Sequence, residues 1–124
     1  MGIRNERLID ADLSLKEVQV SQKPWVKRNF GNRPSWMPLV GVMEELGELA
    51  HHFLKMHQGI RGTKAEHMAQ IKDAVADIVI FLCDFCSAHG IDLESEVITT
   101  WAKVKQRDWK KDPKNGVTAT KQKG

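Results

Sequence analysis

Apolar residues recur along the chain at spacings of three and four, and no sustained alternation of β-branched residues interrupts them, so the chain reads as helical throughout. Residues 1 to 13 read as an irregular lead-in. Ser14 with Glu17 forms a capping box that starts a first helix near Leu15. Pro24 is expected to kink or break that helix, leaving a second piece that carries Trp25, Val26 and Phe30. Gly31, Asn32 and Pro34 then make a loop. Ser35 is the expected N-cap of the next helix, with Pro38 in its first turn and an end near His57. Gly59 and Gly62 stop it.

Thr63 with Glu66 is a second capping box, and the apolar pattern runs from there through Ile71, Val75, Ile78, Val79, Leu82 and Cys86 to a C-terminal cap at Gly90. Its section IVIFLC is apolar on every side, which implies burial all round and hence a self-association surface. Asp92 is the expected cap of a last helix with Leu93, Val97, Ile98, Trp101, Val104 and Trp109 on one face, ended by Pro113, Asn115 and Gly116. Residues 113 to 124 form a basic tail with too little apolar content to pack, and disorder is expected there. The reading is an all-α protein with one domain over residues 14 to 112.

Composition narrows the class. A chain of 124 residues can bury about two-thirds of its unfolded surface without disulfides. The longest apolar run, Ile78 to Cys83, is far short of the roughly 18 residues of a membrane span, so no membrane partner is expected. Residues 1 to 20 mix charges and lack the apolar core of a signal peptide, which makes the cytoplasm the expected location. The net charge of +3 is unevenly spread: eight Lys or Arg against two Asp from Lys103 onward give +6, which leaves −3 for residues 1 to 102. That basic end reads either as a solvated terminus or as an attractor of a polyanionic small substrate. No zinc-finger spacing, RNP box or GXXG loop is found, so nucleic acid is not an expected partner. Cys83 and Cys86 form a Cys-x-x-Cys pair inside an apolar helical run and read as reduced core residues.

Candidate chemistry lies in two acidic lines. In GVMEELGELAHHFLK, residues 41 to 55, a rotation of about 100° per residue places Glu44, Glu45 and Glu48 on one side, with Val42, Met43, Leu46, Leu49 and Phe53 left for packing. This is either a solvated face or one wall of a cation site. Asp73, Asp77 and Asp84 share a line on the following helix, where unpaired buried carboxylates would each cost several kcal/mol. The acids are therefore expected either to hold Mg²⁺ or Mn²⁺ together with a phosphate ester, or to pair with Lys55, Lys72, Lys103 or Arg107. Two such acidic lines on neighbouring antiparallel helices can face each other across a groove, and Asp84 is also a candidate for simple hydrogen bonding at its end. Glu48 and His51 make one Glu-x-x-His, but the second copy that a di-iron bundle requires is missing. His51 and His52 read as packing and surface groups.

The strings EELGEL, DAVADIVIFL and GIDLESEV, within residues 25 to 112, resemble the MazG-like all-α nucleoside triphosphate pyrophosphatases. The resemblance implies a four-helix MazG-like bundle assembling as a homodimer or tetramer around its long helix. It also implies two or more Mg²⁺ or Mn²⁺ ions per site and conversion of (d)NTP and water to (d)NMP and pyrophosphate. That family carries Glu-x-x-Glu on one helix and Glu-x-x-Asp on the next. Glu45 and Glu48 match the first pair and Asp77 the final Asp; Ala74 stands where the fourth acid is expected, and Asp73, one residue earlier, takes that role. The resemblance makes Glu45, Glu48, Asp73 and Asp77 the metal ligands and Glu44 or Glu45 the group that activates water.

Lys103 and Arg107 match two positions of the family's Lys-Asn-x-x-Arg string, with Val104 in place of Asn. With Lys55, they are the expected phosphate-binding cations. In WVKRNFGNRP, Trp25 and Phe30 are candidates to stack on the base and Asn29 and Asn32 to read its edge; alternatively, the two rings anchor the core. Compact members occur in phages, and the MazZ branch, similar in layout, acts on guanine nucleotides. A bacterial or phage-infected cytoplasm and a dGTP or GTP substrate are thus among the expectations. The alternative class is a helical dimer that binds nucleotides or a protein without catalysis.

Overall fold

The computed structural model describes residues 13 to 117; the expected lead-in before Leu13 and the tail beyond Val117 lie outside them. These residues form four helices and no strand: α1 (Leu15–Phe30), α2 (Met37–Gln58), α3 (Lys64–Ala88) and α4 (Leu93–Val104). The chain divides between Leu93 and Glu94 into two compact units. The first holds α1 to α3.

Both capping boxes form as their sequences demand. Ser14 Oγ accepts the Glu17 backbone N–H at 3.2 Å, and Thr63 Oγ1 accepts that of Glu66 at 3.1 Å, each Glu reaching back to its cap. The hydrogen bonds hold the Glu66 carboxyl below its ordinary range. α1 runs through Pro24 without a break, contrary to the expected interruption. Proline removes one intrahelical bond, and tertiary bonds from the turns before it fix the helix to α3. Gln19 Nε2 donates to Ser87 Oγ and the Ile91 carbonyl, while Gln22 Nε2 donates to the Ile80 carbonyl. Ser35 is not the N-cap of α2; Trp36 takes that place without a side-chain cap. An N-cap Ser35 would need the N–H of Met37 or Pro38, but Met37 donates to the Pro34 carbonyl and proline has none to give. Gly59 ends α2 in the left-handed conformation with φ 70°.

α2 and α3 form an antiparallel hairpin, which fixes which residues face each other. Gly41 lies under the Phe81 ring near one end, and at the other His52 Nδ1 meets His67 Nδ1 at 3.1 Å. Residue numbers across the seam thus sum to about 120, which sets Glu45 opposite Asp77. A Cβ on Gly41 would come within 2.5 Å of Phe81 Cε1, so only glycine allows this approach. Gly41→Ala is expected to destabilise the fold by about 1–3 kcal/mol in a urea titration, with partial recovery when Phe81→Leu is added.

Within the first unit the buried groups are few: Pro38, Ala74, Cys83 and Cys86 among them. The two cysteines are buried thiols not joined in a disulfide, as read, and burial with Cys86 nearby pushes the Cys83 thiol up. The apolar side of α2 is not covered in the single chain: Met43 is 67% exposed, Leu46 55% and Phe53 52%. The apolar section of α3 is likewise only partly covered in the single chain, where Val79 and Ile80 are 37% and 42% exposed. Among the described residues no single helix is long and apolar enough to cross a membrane.

α4 begins at Leu93, directly after Asp92 as expected, but stops at Val104, so Trp109 lies outside it. Gln106 and Arg107 donate to carbonyls three residues back, which tightens the chain into turns. Asp108 Oδ1 then accepts the N–H groups of Lys110 and Lys111. Turns continue through residues 113 to 117: Asp112 Oδ1 accepts from Lys114 and Asn115, and the Gly116 carbonyl accepts from Asp108 N.

Candidate active site

The hairpin register brings the two acidic helices into one electrostatic cluster. Glu45, half-buried on α2, is its centre: burial pushes its carboxyl up from the usual range, followed by the charges of Asp77, Glu48, Glu44 and Asp73. Burial also raises Asp77, followed by the charge of Asp73, a hydrogen bond with it, and the charge of Glu48. Glu44, Glu48 and Asp73 are exposed, which corrects the expected burial of the Asp73 end of the line. Glu45 Oε2 is enclosed and has no hydrogen-bond partner. The ion pairs among the described residues, Lys16 with Asp92 and Arg33 with Asp84, leave Glu45, Glu48, Asp73 and Asp77 without a cation. Within the first unit, the expected rival pairing with Lys55 or Lys72 is therefore not what balances them. No group of three or more His, Cys, Asp or Glu among the described residues is gathered closely enough to hold a metal ion.

Asp84 leaves the line. It pairs with Arg33 from the α1–α2 loop, and both side chains are largely buried. The Arg33 guanidinium also sits 5.2 Å from the centre of the Phe30 ring, and Phe30 meets Trp25 edge-on at 5.7 Å. Between these groups and the acids lies a cavity of about 610 Å³. Trp25, Val26, Phe30, Ile80 and Phe81 supply its apolar lining; Gln22, Arg33, Glu45, Asp77 and Asp84 supply the polar part. Two aromatic candidates and two acidic candidates thus meet at one space.

Other expected site residues go elsewhere. The Asn29 amide donates to the Trp25 carbonyl of its own helix at 2.8 Å, and Asn32 lines a separate cavity of about 220 Å³. Lys55 Nζ donates to Gln58 Oε1 at 3.0 Å rather than turning to the acids. Lys103 and Arg107 belong to the second unit; Arg107 follows the end of α4, so the two do not lie one turn apart on a helix. Gln22, Arg33 and Phe81 were not anticipated. Arg33 was legible only as the cation nearest the acidic helix in a loop between two candidate elements.

The crowded acids give a signed pH dependence. Glu45 and Asp77 bind protons more readily folded than unfolded. Their contribution to stability is therefore fully present below the unfolded carboxylate pKa and is lost as pH rises through the raised folded values. In EDTA, the melting temperature of a Glu45→Gln/Asp77→Asn variant is expected to exceed that of the unaltered protein by a margin that grows from pH 4 to pH 7. A margin that shrinks over that range would contradict the cluster.

Comparison with known proteins adds no assignment: no protein-family model matches the chain, and no curated protein matches it.

Proposed function

We propose that this chain is a metal-dependent nucleoside triphosphate pyrophosphohydrolase of the MazG-like kind. The observation that carries the reading is one cavity lined both by aromatic rings and by the enclosed, unpartnered Glu45 Oε2, among carboxylates that no Lys or Arg of the described residues in the first unit pairs with. The donor chemistry suits a hard cation, since carboxylate oxygens are preferred by Mg²⁺ and Mn²⁺, which are commonly shared with substrate phosphates. Glu45, Glu48, Asp73 and Asp77 are the residues to hold it. When bound, it neutralises phosphate charge and acidifies water.

The protein's own groups do the rest. Glu44 or Glu45 accepts a proton from the water that attacks the α-phosphorus, and pyrophosphate departs in line. Trp25 and Phe30 offer ring faces to the base. A cavity of about 610 Å³ lies within the range of small-molecule sites. The uncovered faces of α2 and α3 suit a second copy of the chain, and light scattering on the assay sample reports that assembly.

A specific observation supports the alternative: the acids are not drawn together as a metal centre. A nucleotide binder without catalysis would be built the same way. Pyrophosphate release from the eight common ribo- and deoxyribonucleoside triphosphates, with Mg²⁺ or Mn²⁺, separates the two. Release from at least one is the expected result, abolished by EDTA; silence across the panel selects the binder.

A further inference from the structure

Glu45 Oε2 shares its isolation with one other group. Among the described residues the buried side-chain polar atoms without a hydrogen-bond partner are Glu45 Oε2 and Gln22 Oε1, and both residues line the same cavity. The acid cluster accounts for the first. Nothing in the hairpin accounts for the second.

The orientation of the Gln22 amide follows from its neighbour. Its other end meets the Ile80 carbonyl at 2.8 Å, which only the amide nitrogen can do by donating, so the oxygen is left as an unused acceptor. Gln22 stands three residues before Trp25 on α1, on the same side of the helix. The remaining polar lining is rich in acceptors as well: Glu45, Asp77 and Asp84 contribute carboxylates, and the Arg33 guanidinium is engaged by Asp84. A ligand edge that carries carbonyl oxygens meets like polarity here. An edge that carries N–H groups finds a partner for each.

We infer that Gln22 is a specificity-determining residue, its Oε1 accepting an N–H from an exocyclic amino group of the base, so that the site selects amino-bearing bases over their keto counterparts. The inference rests on reading the cavity as a nucleotide site. It applies to whichever base fits best: cytosine over uracil, adenine over hypoxanthine, guanine over xanthine. A site with an enclosed hydrogen-bonding group discriminates strongly against the analogue that leaves the group unpaired.

The test compares each pair of deoxynucleoside triphosphates in the unaltered protein and in Gln22→Leu. It uses kcat/KM for pyrophosphate release and, independently, affinity for the non-hydrolysable α,β-imido analogues by tryptophan fluorescence. For the preferred base, the amino member is expected to lead by at least about 10-fold, and the lead is expected to fall below about 3-fold in the variant. An equal or inverted preference in the unaltered protein overturns the inference, and this outcome does not depend on whether the variant folds. An unchanged ratio in a folded Gln22→Leu overturns it too. Selective binding without turnover sustains the role of Gln22 and removes the catalytic reading. Turnover without selectivity does the reverse, and no binding of any analogue overturns both.

Discussion

Glu45→Gln is expected to lower pyrophosphate release by more than about 100-fold and, in the same sample without metal, to raise the melting temperature. The two effects have one cause. Glu45 is the carboxylate on which burial and four neighbouring acids converge, so its charge strains the metal-free fold and, in the proposed function, supplies the strongest pull on a cation. Removing the charge relieves the repulsion and weakens the site, a trade of function for stability that is common where active groups are crowded. Added Mg²⁺ should raise the melting temperature of the unaltered protein and do so much less in the variant. A variant that turns over normally, or that is less stable without metal, contradicts the placement of Glu45 at the centre.

Arg33→Ala is expected to cost about 3 kcal/mol in a urea titration. The Arg33 and Asp84 side chains are 19% and 12% exposed, so truncating the cation strands a carboxylate that water barely reaches. Asp84→Asn on the Arg33→Ala background should recover part of the loss, because the stranded charge is then gone. The same truncation removes the guanidinium beside Phe30, so nucleotide affinity should fall even where the fold persists. An Arg33→Ala protein within about 0.5 kcal/mol of the unaltered one, the range of ordinary surface changes, would mean that the pair is incidental.

What was legible in the sequence was mostly local. Ser14 with Glu17, Thr63 with Glu66, and Gly59 act through bonds to their own neighbours, so their residue types sufficed to place helix ends. Side chains that reach across the structure were not legible in this way. Asp73, Asp77 and Asp84 share a rotational line, yet the rise of about 1.5 Å per residue sets Asp84 roughly 10 Å along the axis from Asp77. Angle alone concealed that separation, and Arg33 claimed Asp84. Lys55 and Asn29 had plausible long-range roles but found partners on their own helix. Ser35 failed as a cap because the chain just after it, through Pro38, withholds the donors that a cap needs. The facing of Glu45 and Asp77 was anticipated as two acidic walls of one groove; what set their register, the close approach at Gly41, was not.

The most direct measurement is hydrolysis of the preferred nucleoside triphosphate in ¹⁸O-labelled water with Mg²⁺, analysed by ³¹P NMR and mass spectrometry. Attack at the α-phosphorus predicts one labelled oxygen in the nucleoside monophosphate and none in the pyrophosphate. Label in the pyrophosphate, or a nucleoside diphosphate with labelled phosphate, would contradict it.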